Sequence, residues 1–203
     1  MRLIHIIQNH AKRMNGIVEN ILQLSRREQS RPDLVALHRF LPEFANEFET
    51  SQVNRALDFQ AAIDTEETYV LYDQSQLSQC LWKLLDNAVD HASRDKSIPK
   101  VRLALSRDPD AGFCIITVAD NGPGISKAQL SKIFEPFYTT RKEGSGLGLY
   151  IARQLCEANQ AELTVDSEPG EGAYFHIRLA LARASTAQHQ DPTAAGQGSG
   201  QGQ

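Results

Sequence analysis

The stretch "GSGLGLYIAR", from Gly144 to Arg153, places a glycine at every second position directly before a segment with a helical pattern. The first N–H groups of a helix lack intrahelical partners, and the helix dipole favours an anion beside them. Glycine leaves such donors open to a ligand because it has no Cβ. An anion site and a flexible loop explain the stretch equally well when it is taken singly, so the rest of the chain must decide.

The composition is that of a folded globular protein without the charge of a nucleic-acid binder. The chain has 203 residues, is 41% hydrophobic and carries a formal net charge of -4, which disfavours nucleic acid as a partner. Its three cysteines are far apart in sequence, so we expect reduced thiols rather than a disulfide framework or a metal site. It contains neither a signal peptide nor an apolar run long enough to span a bilayer. We therefore expect this part to be cytoplasmic, with any membrane segment outside it.

Patterning divides the chain into residues 1–31, 32–183 and 184–203. In the first part the steps between seam positions alternate between 4 and 3 residues up to Pro32, as in a coiled coil; the seam residues are Leu3, Ile7, His10, Met14, Ile17, Ile21 and Leu24. We expect one long helix that packs on another helix, from a second chain or from a part of the protein absent here. The alternative is a helix folded back on its own domain. The last part is almost free of apolar residues and is expected to be disordered.

Residues 32–183 mix strand and helix patterns, which predicts an α+β fold with helices on one face of a mostly antiparallel sheet. The predicted helices are "LPEFANEFETSQ" opened by Pro42, "SQLSQCLWKLLDNAVDHA" capped by Asp73, and about Leu147 to Asn159. The predicted strands are "DLVAL", "ALDFQAAI", "TYVLY", the hairpin "KVRLALSRD" and "GFCIITVAD", and the pair "ELTVDSE" and "GAYFHIRLAL".

Three further segments carry candidate chemistry. In "LLDNA", Asn87 stands among apolar neighbours, where its amide is either a satisfied structural group or a ligand whose neutral oxygen suits Mg²⁺. In "DNGPGI", Asp120 ends a strand and could accept a hydrogen bond from a ligand lying against Gly122 and Gly124, although an Asp-Asn-Gly turn is the simpler explanation.

The third segment, "IFEPFYTTRKEGSG", places aromatic residues in a long polar connection, which is typical of a lid or of disorder. Its Arg141 and Lys142 precede the glycines and could reach an anion, or they could be an ordinary solvated pair.

Together, in this order and spacing, the four segments resemble the N, G1, F and G2 boxes of the sensor histidine kinases, which share an ATP-binding fold with gyrase, Hsp90 and MutL. The resemblance covers about Leu34 to Leu181. Residues 1–31 are similar to the second helix of the dimerisation and phosphotransfer hairpin of these kinases, in the style of the NtrB-like and pilus-regulating branch. Residues 32–183 would be the catalytic ATP-binding domain.

The resemblance implies a two-layer α/β sandwich, the Bergerat fold, with a mixed five-stranded sheet and three helices. It implies ATP or ADP and Mg²⁺ as ligands, with Asn87 holding the metal and Asp120 accepting the adenine amine. Gly122 and Gly124 would allow close approach, Phe134 and Phe137 would anchor a lid, and the glycines of the opening stretch would cradle the phosphates. The full set of expected nucleotide-binding residues is Lys83, Asn87, His91, Asp120, Gly122, Gly124, Ile125, Phe134, Phe137, Arg141, Lys142, Gly144, Gly146, Leu147 and Gly148.

Two positions depart from the family pattern. Lys83 stands where many members have an asparagine, and Asp90, next to His91, stands where others often have a lysine. In hydrolytic relatives of the gyrase and MutL type, the position of Lys83 carries a glutamate that activates water. A lysine is protonated at neutral pH and cannot be that base, which disfavours direct ATP hydrolysis. An ATP hydrolase and a nucleotide-binding scaffold without chemistry remain the alternatives.

None of the six histidines has the His-Glu-x-x-x-Pro context of the family's phosphoacceptor, and His10 on the seam is the one rival. We therefore expect a C-terminal fragment that does not phosphorylate itself. The resemblance implies that the intact kinase is a homodimer through its helical hairpin, is anchored in the inner membrane by its N-terminal region, and passes the phosphoryl group to an aspartate of a response regulator.

Overall fold

The computed structural model describes residues 30–64, 66–92, 98–107, 112–141 and 144–182. Most of the predicted N-terminal helix, the predicted tail from 184 to 203, and Lys142 lie outside the described residues. Among the described residues, no helix is both long and apolar enough to cross a bilayer.

In the part of the chain that the structure describes, seven strands form two sheets. Their bounds are Asp33–Ala36 (β1), Asp58–Ile63 (β2), Tyr69–Tyr72 (β3), Lys100–Arg107 (β4), Phe113–Asp120 (β5), Glu162–Ser167 (β6) and Ala173–Ala180 (β7). The main sheet has the order β2-β4-β5-β7-β6, in which only β2 and β4 are parallel, and β1 pairs with β3 in an antiparallel ribbon. The mixed, mostly antiparallel sheet and the two predicted hairpins are confirmed.

Within the described ranges, four helices accompany the sheets: Leu37–Ser51 (α1), Gln74–Ala92 (α2), the one-turn Lys127–Leu130 (α3) and Gly148–Ala158 (α4). Alternation along β4, β5 and β7 turns one face of the main sheet towards the core, where the buried stripes of the long helices pack. This arrangement places the end of β5, the side of α2 and the start of α4 near one another.

The start of α1 differs from the prediction. The sequence predicts a start at Leu41 with Pro42 in the first helical position, but the helix begins at Leu37 and contains Pro42. Leu37 and Leu41 are both fully buried and continue the stripe of Phe44, so burial extends the helix towards its N-terminus. Pro42 is tolerated because it lies on the exposed side, where water can bond the carbonyl that a helical proline leaves unpaired.

The start of α2 follows the prediction. Oδ1 of Asp73 accepts hydrogen bonds from the backbone N–H groups of Ser75, at 3.0 Å, and Gln76, at 3.2 Å. These donors have no partner within the helix, so the carboxylate is an N-cap. The helix that carries Asn87 is thereby fixed at its beginning.

A buried polar junction joins α2, α4 and the segment that precedes β1. Nδ2 of Asn159 donates to Oε1 of Gln76 at 2.7 Å, and its Oδ1 accepts from the backbone N–H of Asp73 at 2.9 Å and from Oγ of Ser30 at 2.6 Å. Asn159 is 7% exposed, and these bonds satisfy its amide. It holds the end of α4 against the beginning of α2.

All three cysteines are free and buried in the structure. Cys80 of α2 and Cys156 of α4 lie with their sulfur atoms 3.6 Å apart. They add to the packing between the two helices.

Candidate functional site

A cavity of about 450 Å³ opens between α2, the loop after β5, the segment before α4 and the start of α4. This volume is within the range of small-molecule sites. Ten of the residues expected from the sequence line it: Lys83, Asn87, His91, Asp120, Gly124, Ile125, Arg141, Gly144, Gly146 and Gly148. Segments far apart in the sequence thus meet at one place.

Four other expected residues are described but do not line the cavity. Leu147 is fully buried in the core, and Phe134 packs against the core with the guanidinium of Arg153 over its ring at 5.5 Å. The side chain of Phe137 is 65% exposed, and Gly122 lies against the backbone of His91 at the end of α2. Leu147 and Phe134 thus belong to the packing beneath the site, whereas Phe137 faces solvent.

The deepest charged group is the carboxyl of Asp120, at the end of the central strand β5. It is 8% exposed and accepts hydrogen bonds from the backbone N–H groups of Gly122, at 2.8 Å, and of Ala173. Burial raises the pKa of Asp120 from 3.8 to about 6, although these two hydrogen bonds act in the opposite direction. At neutral pH the group is a carboxylate, an acceptor in a largely apolar setting.

Close backbone packing holds the loop after Asp120 in place. A Cβ on Gly124 would lie 1.9 Å from the carbonyl oxygen of Glu168, and a Cβ on Gly172 would lie 1.9 Å from that of Asp120. Ser167 joins the two loops, since its hydroxyl accepts from the N–H of Ile125 at 2.8 Å and donates to the carbonyl of Gly172. The turn between β6 and β7 therefore positions this loop, a role that the sequence analysis did not assign to it.

The amide of Asn87 is a neutral oxygen donor on the α2 wall of the site. It lines the cavity, and its side chain makes no hydrogen bond with any residue that the structure describes. The side chain is half-buried and is not held by a protein partner among those residues, as the structural alternative considered from sequence would require. An amide oxygen left open towards a cavity fits a Mg²⁺ ligand.

The glycines of the opening stretch have different surroundings. Gly146 has a φ of 68°, and a Cβ there would lie 2.4 Å from the backbone of Phe137. A Cβ on Gly144 would meet the Thr139 hydroxyl at 2.6 Å, whereas nothing lies within 4 Å of one on Gly148. Gly146 thus serves the packing of the segment before α4, while Gly148 leaves the helix start open.

Charged side chains of both signs line the α2 side of the cavity. Asp86 and Asp90 are carboxylates of this wall, and Asp90 forms an ion pair with Arg141 from the opposite segment. Burial, followed by the nearby charge of Asp90, raises the pKa of Asp86, while the cations Arg55 and Lys83 lower it.

The sequence analysis missed several lining residues. These are Asp86, Asp90, Pro123, Gln129, Ile133, Tyr138, Thr139, Thr140, Ser145, Leu149, Ala173 and Phe175. For Asp90, which the sequence analysis named only as a departure from the family pattern, a signal was available, because it lies three residues from Asn87 on the same side of a helix. Asp86 lies four residues before Asp90 and shares the side of Asp90 rather than that of Asn87. Most of the others lie inside the four candidate segments without having been chosen, whereas Gln129, Ala173 and Phe175 lie outside them and are brought to the cavity by the tertiary fold.

The chain is similar to known proteins in sequence and in fold. Residues 72–183 match the family described as histidine kinase-, DNA gyrase B-, and HSP90-like ATPase. Sensor protein kinase PilS from Pseudomonas aeruginosa is 36% identical over 182 residues, which are 90% of this chain and 34% of PilS. The chain spans about a third of the length of the curated relatives it matches.

Solved structures with the same fold include full-length ShkA in complex with AMPPNP. It is 26% identical with a TM-score of 0.71 and covers 87% of this chain and 37% of ShkA. Histidine kinase ThkA in complex with the response regulator TrrA is 24% identical with a TM-score of 0.73, covers 90% of this chain and 51% of ThkA, and shows the fold alone.

The match to the family extends over more than half of the chain and includes the cavity. The chain therefore belongs to the histidine kinase-, DNA gyrase B- and HSP90-like ATPase family, and relatives such as PilS are sensor kinases.

Proposed function

We propose that this chain is the catalytic ATP-binding domain of a sensor histidine kinase, and that it positions Mg-ATP for transfer of the γ-phosphoryl group to a histidine. In phosphoryl transfer a protein contributes chiefly by positioning and by stabilising charge. The individual site residues and the metal are part of this proposal.

The observation that carries the proposal is that one cavity is lined by a buried carboxylate, an open amide and the start of a helix. The carboxylate of Asp120 would accept the adenine amine. The N–H groups at the start of α4, at Gly148, would face the phosphates. Asn87 lines the same cavity from α2.

Asn87 would hold Mg²⁺ through its amide oxygen, with further ligands from the nucleotide phosphates and water. When bound, the ion would neutralise charge on the phosphates. The chain's own residues would do the rest: Asp120 selects the base, and Ile125 and Phe175 offer apolar surface to it.

We further propose that the phosphoryl group passes from the histidine to an aspartate of a response regulator. The complex of ThkA with a response regulator and the relationship to PilS support this partner. The homodimer, the membrane anchor, and the absence of self-phosphorylation expected from the sequence stay predictions.

Nucleotide binding is tested by calorimetry with ATP and ADP in the presence and absence of Mg²⁺. We expect both nucleotides to bind. We also expect Mg²⁺ to increase the nucleotide affinity of the wild type, and we expect this increase to be lost in Asn87→Ala. The control Asn46→Ala replaces an exposed asparagine of α1. Binding that is equally metal-dependent in Asn87→Ala and wild type would remove Asn87 from the proposed role.

Phosphoryl transfer is tested by mixing the chain with a kinase that retains its acceptor helix but carries a disabled nucleotide pocket. Label from γ-labelled ATP should appear on the acceptor only when the chain is present with an intact Asn87. If the acceptor stays unlabelled under conditions in which the same kinase with an intact pocket becomes labelled, the result favours a scaffold without chemistry.

The hydrolase alternative is tested by steady-state phosphate release. Lys83 lines the cavity at the position where hydrolytic relatives carry the water-activating glutamate. We expect no turnover above background. Sustained turnover that Asn87→Ala abolishes would overturn the kinase assignment.

A further inference from the structure

An ion pair joins two segments that line the cavity. Nη1 of Arg141, in the segment before α4, contacts Oδ2 of Asp90 on α2. Both side chains line the cavity, and they are 37% and 31% exposed. The pair therefore ties residues Thr139–Arg141 to the helix that carries Asn87, and its partial exposure makes it one that a competing anion can reach.

The surroundings of Asp90 set up that competition. Asp86 stands one turn earlier on α2, and its raised pKa reflects burial and the charge of Asp90. Lys83, one turn earlier again, lies close enough to lower that pKa. A nucleotide polyphosphate that enters the cavity meets two carboxylates, and one of them, Asp90, is already paired with Arg141.

We propose that Asp90 is a specificity-determining residue that sets how strongly the site prefers a nucleoside triphosphate over a diphosphate, through its hold on Arg141. This inference rests on the proposed function. A terminal phosphate that reaches Arg141 must draw the guanidinium away from Asp90. The free energy needed to separate the ion pair therefore lowers the affinity for the triphosphate. A shorter nucleotide leaves the pair closed. Asp90 thereby reduces the advantage that ATP has over ADP.

The hold on Arg141 is tested without nucleotide, by limited digestion of the full 203-residue chain with trypsin. Cleavage after Arg141 should be about fivefold faster in Asp90→Asn than in wild type, the effect of losing one partly exposed ion pair. Asp86→Asn removes the same charge from the same helix and should leave the rate unchanged. Asp90→Glu keeps a carboxylate within reach and should restore slow cleavage.

The effect on specificity is tested by calorimetry with ATP and ADP at equal, saturating Mg²⁺. The ratio of the two affinities should rise about fivefold in Asp90→Asn, and by less than about twofold in Asp86→Asn, which changes only the local charge. In an Arg141→Ala background, Asp90→Asn should change the ratio no more than Asp86→Asn does.

Equal cleavage rates in Asp90→Asn and Asp86→Asn would overturn the hold on Arg141. Equal changes in the affinity ratio would show that Asp90 acts through its charge alone, which would overturn its role in specificity. If the wild-type chain bound neither nucleotide, the proposed function would fail and the specificity claim with it, while the digestion would still report on the ion pair.

Discussion

At the scale of single residues, the buried carboxyl of Asp120 is the group whose chemistry most directly bears on ligand choice. Asp120→Asn keeps the size of the side chain and an acceptor oxygen but removes its charge. We expect ATP affinity to fall by about 1.5 to 3 kcal/mol, the contribution of a charge-assisted hydrogen bond. We also expect discrimination against GTP to narrow, because GTP offers an acceptor where adenine offers an amine. Calorimetry with both nucleotides measures this, and unchanged ATP binding would exclude the assigned role.

The same substitution should stabilise the protein without nucleotide. Because the pKa of Asp120 is raised from 3.8 to about 6 on folding, the folded state binds the proton more tightly than the unfolded chain. The free energy of unfolding of the wild type therefore falls as the pH rises from about 4 to about 6, and the loss persists at neutral pH. A shift of this size corresponds to about 3 kcal/mol, so Asp120→Asn should be more stable than wild type at pH 7.5 by up to that amount.

Urea unfolding at pH 7.5, 6 and 4.5 measures this difference, which should shrink as the pH falls. Glu162→Gln serves as the control, since it removes a carboxylate from an exposed position on β6. A stability difference that does not change with pH, or an Asp120→Asn variant less stable than wild type at pH 7.5, would contradict the burial argument.

At the scale of elements, the glycines before α4 separate a packing role from a ligand-binding role. Gly146→Ala should lower the free energy of unfolding by more than about 1 kcal/mol, since alanine disfavours a φ of 68° and its Cβ would collide with the backbone of Phe137. Gly148→Ala should be neutral or raise stability by up to about 1 kcal/mol, because the position is helical and open.

The effects of these two variants on nucleotide binding should differ from their effects on stability. We expect Gly148→Ala to weaken the binding of ATP more than that of adenosine, since its Cβ would lie where the phosphates approach the helix. Thermal unfolding and calorimetry together measure both effects. If Gly148→Ala bound ATP as wild type does, the helix start would not be in contact with phosphate.

The elements also show what local sequence can predict. The strands, the Asp73 cap and the start of α4 follow from alternation, capping chemistry and glycine spacing, which are local signals. The start of α1 does not, because the burial of Leu37 decides it and that burial requires the finished fold. Likewise, the surroundings of Gly146 depend on Phe137, whose backbone reaches it only through the tertiary path of the loop.

At the scale of the whole molecule, the site could be predicted as a set of segments but not as a set of contacts. The family resemblance predicted that Asn87 and Asp120 belong to one site. By contrast, the ion-pair partner of Arg141 and the hydrogen bond from Ile125 to Ser167 involve elements remote in sequence. Such pairs leave no periodic or spacing signal in one chain. The same holds for Asn159, whose neighbours in sequence give no hint that it joins two helices.

The junction around Asn159 affects the stability of the whole fold. Asn159→Ala removes the acceptor of Ser30 and of the Asp73 N–H and leaves the amide oxygen of Gln76 buried without its donor. We expect the free energy of unfolding to fall by about 2 to 3 kcal/mol, as for other buried groups left unpaired, with the urea m-value unchanged.

Gln154→Ala is the control on the same helix. Among the residues that the structure describes, Gln154 bonds only the exposed Glu157, so the free energy of unfolding of this variant should stay within about 0.5 kcal/mol of wild type. Since the junction holds α2 against α4, and both helices contribute residues to the lining of the cavity, Asn159→Ala should also weaken the binding of ATP and of adenosine equally. A loss confined to ATP would instead place the effect of Asn159 at the phosphate end alone.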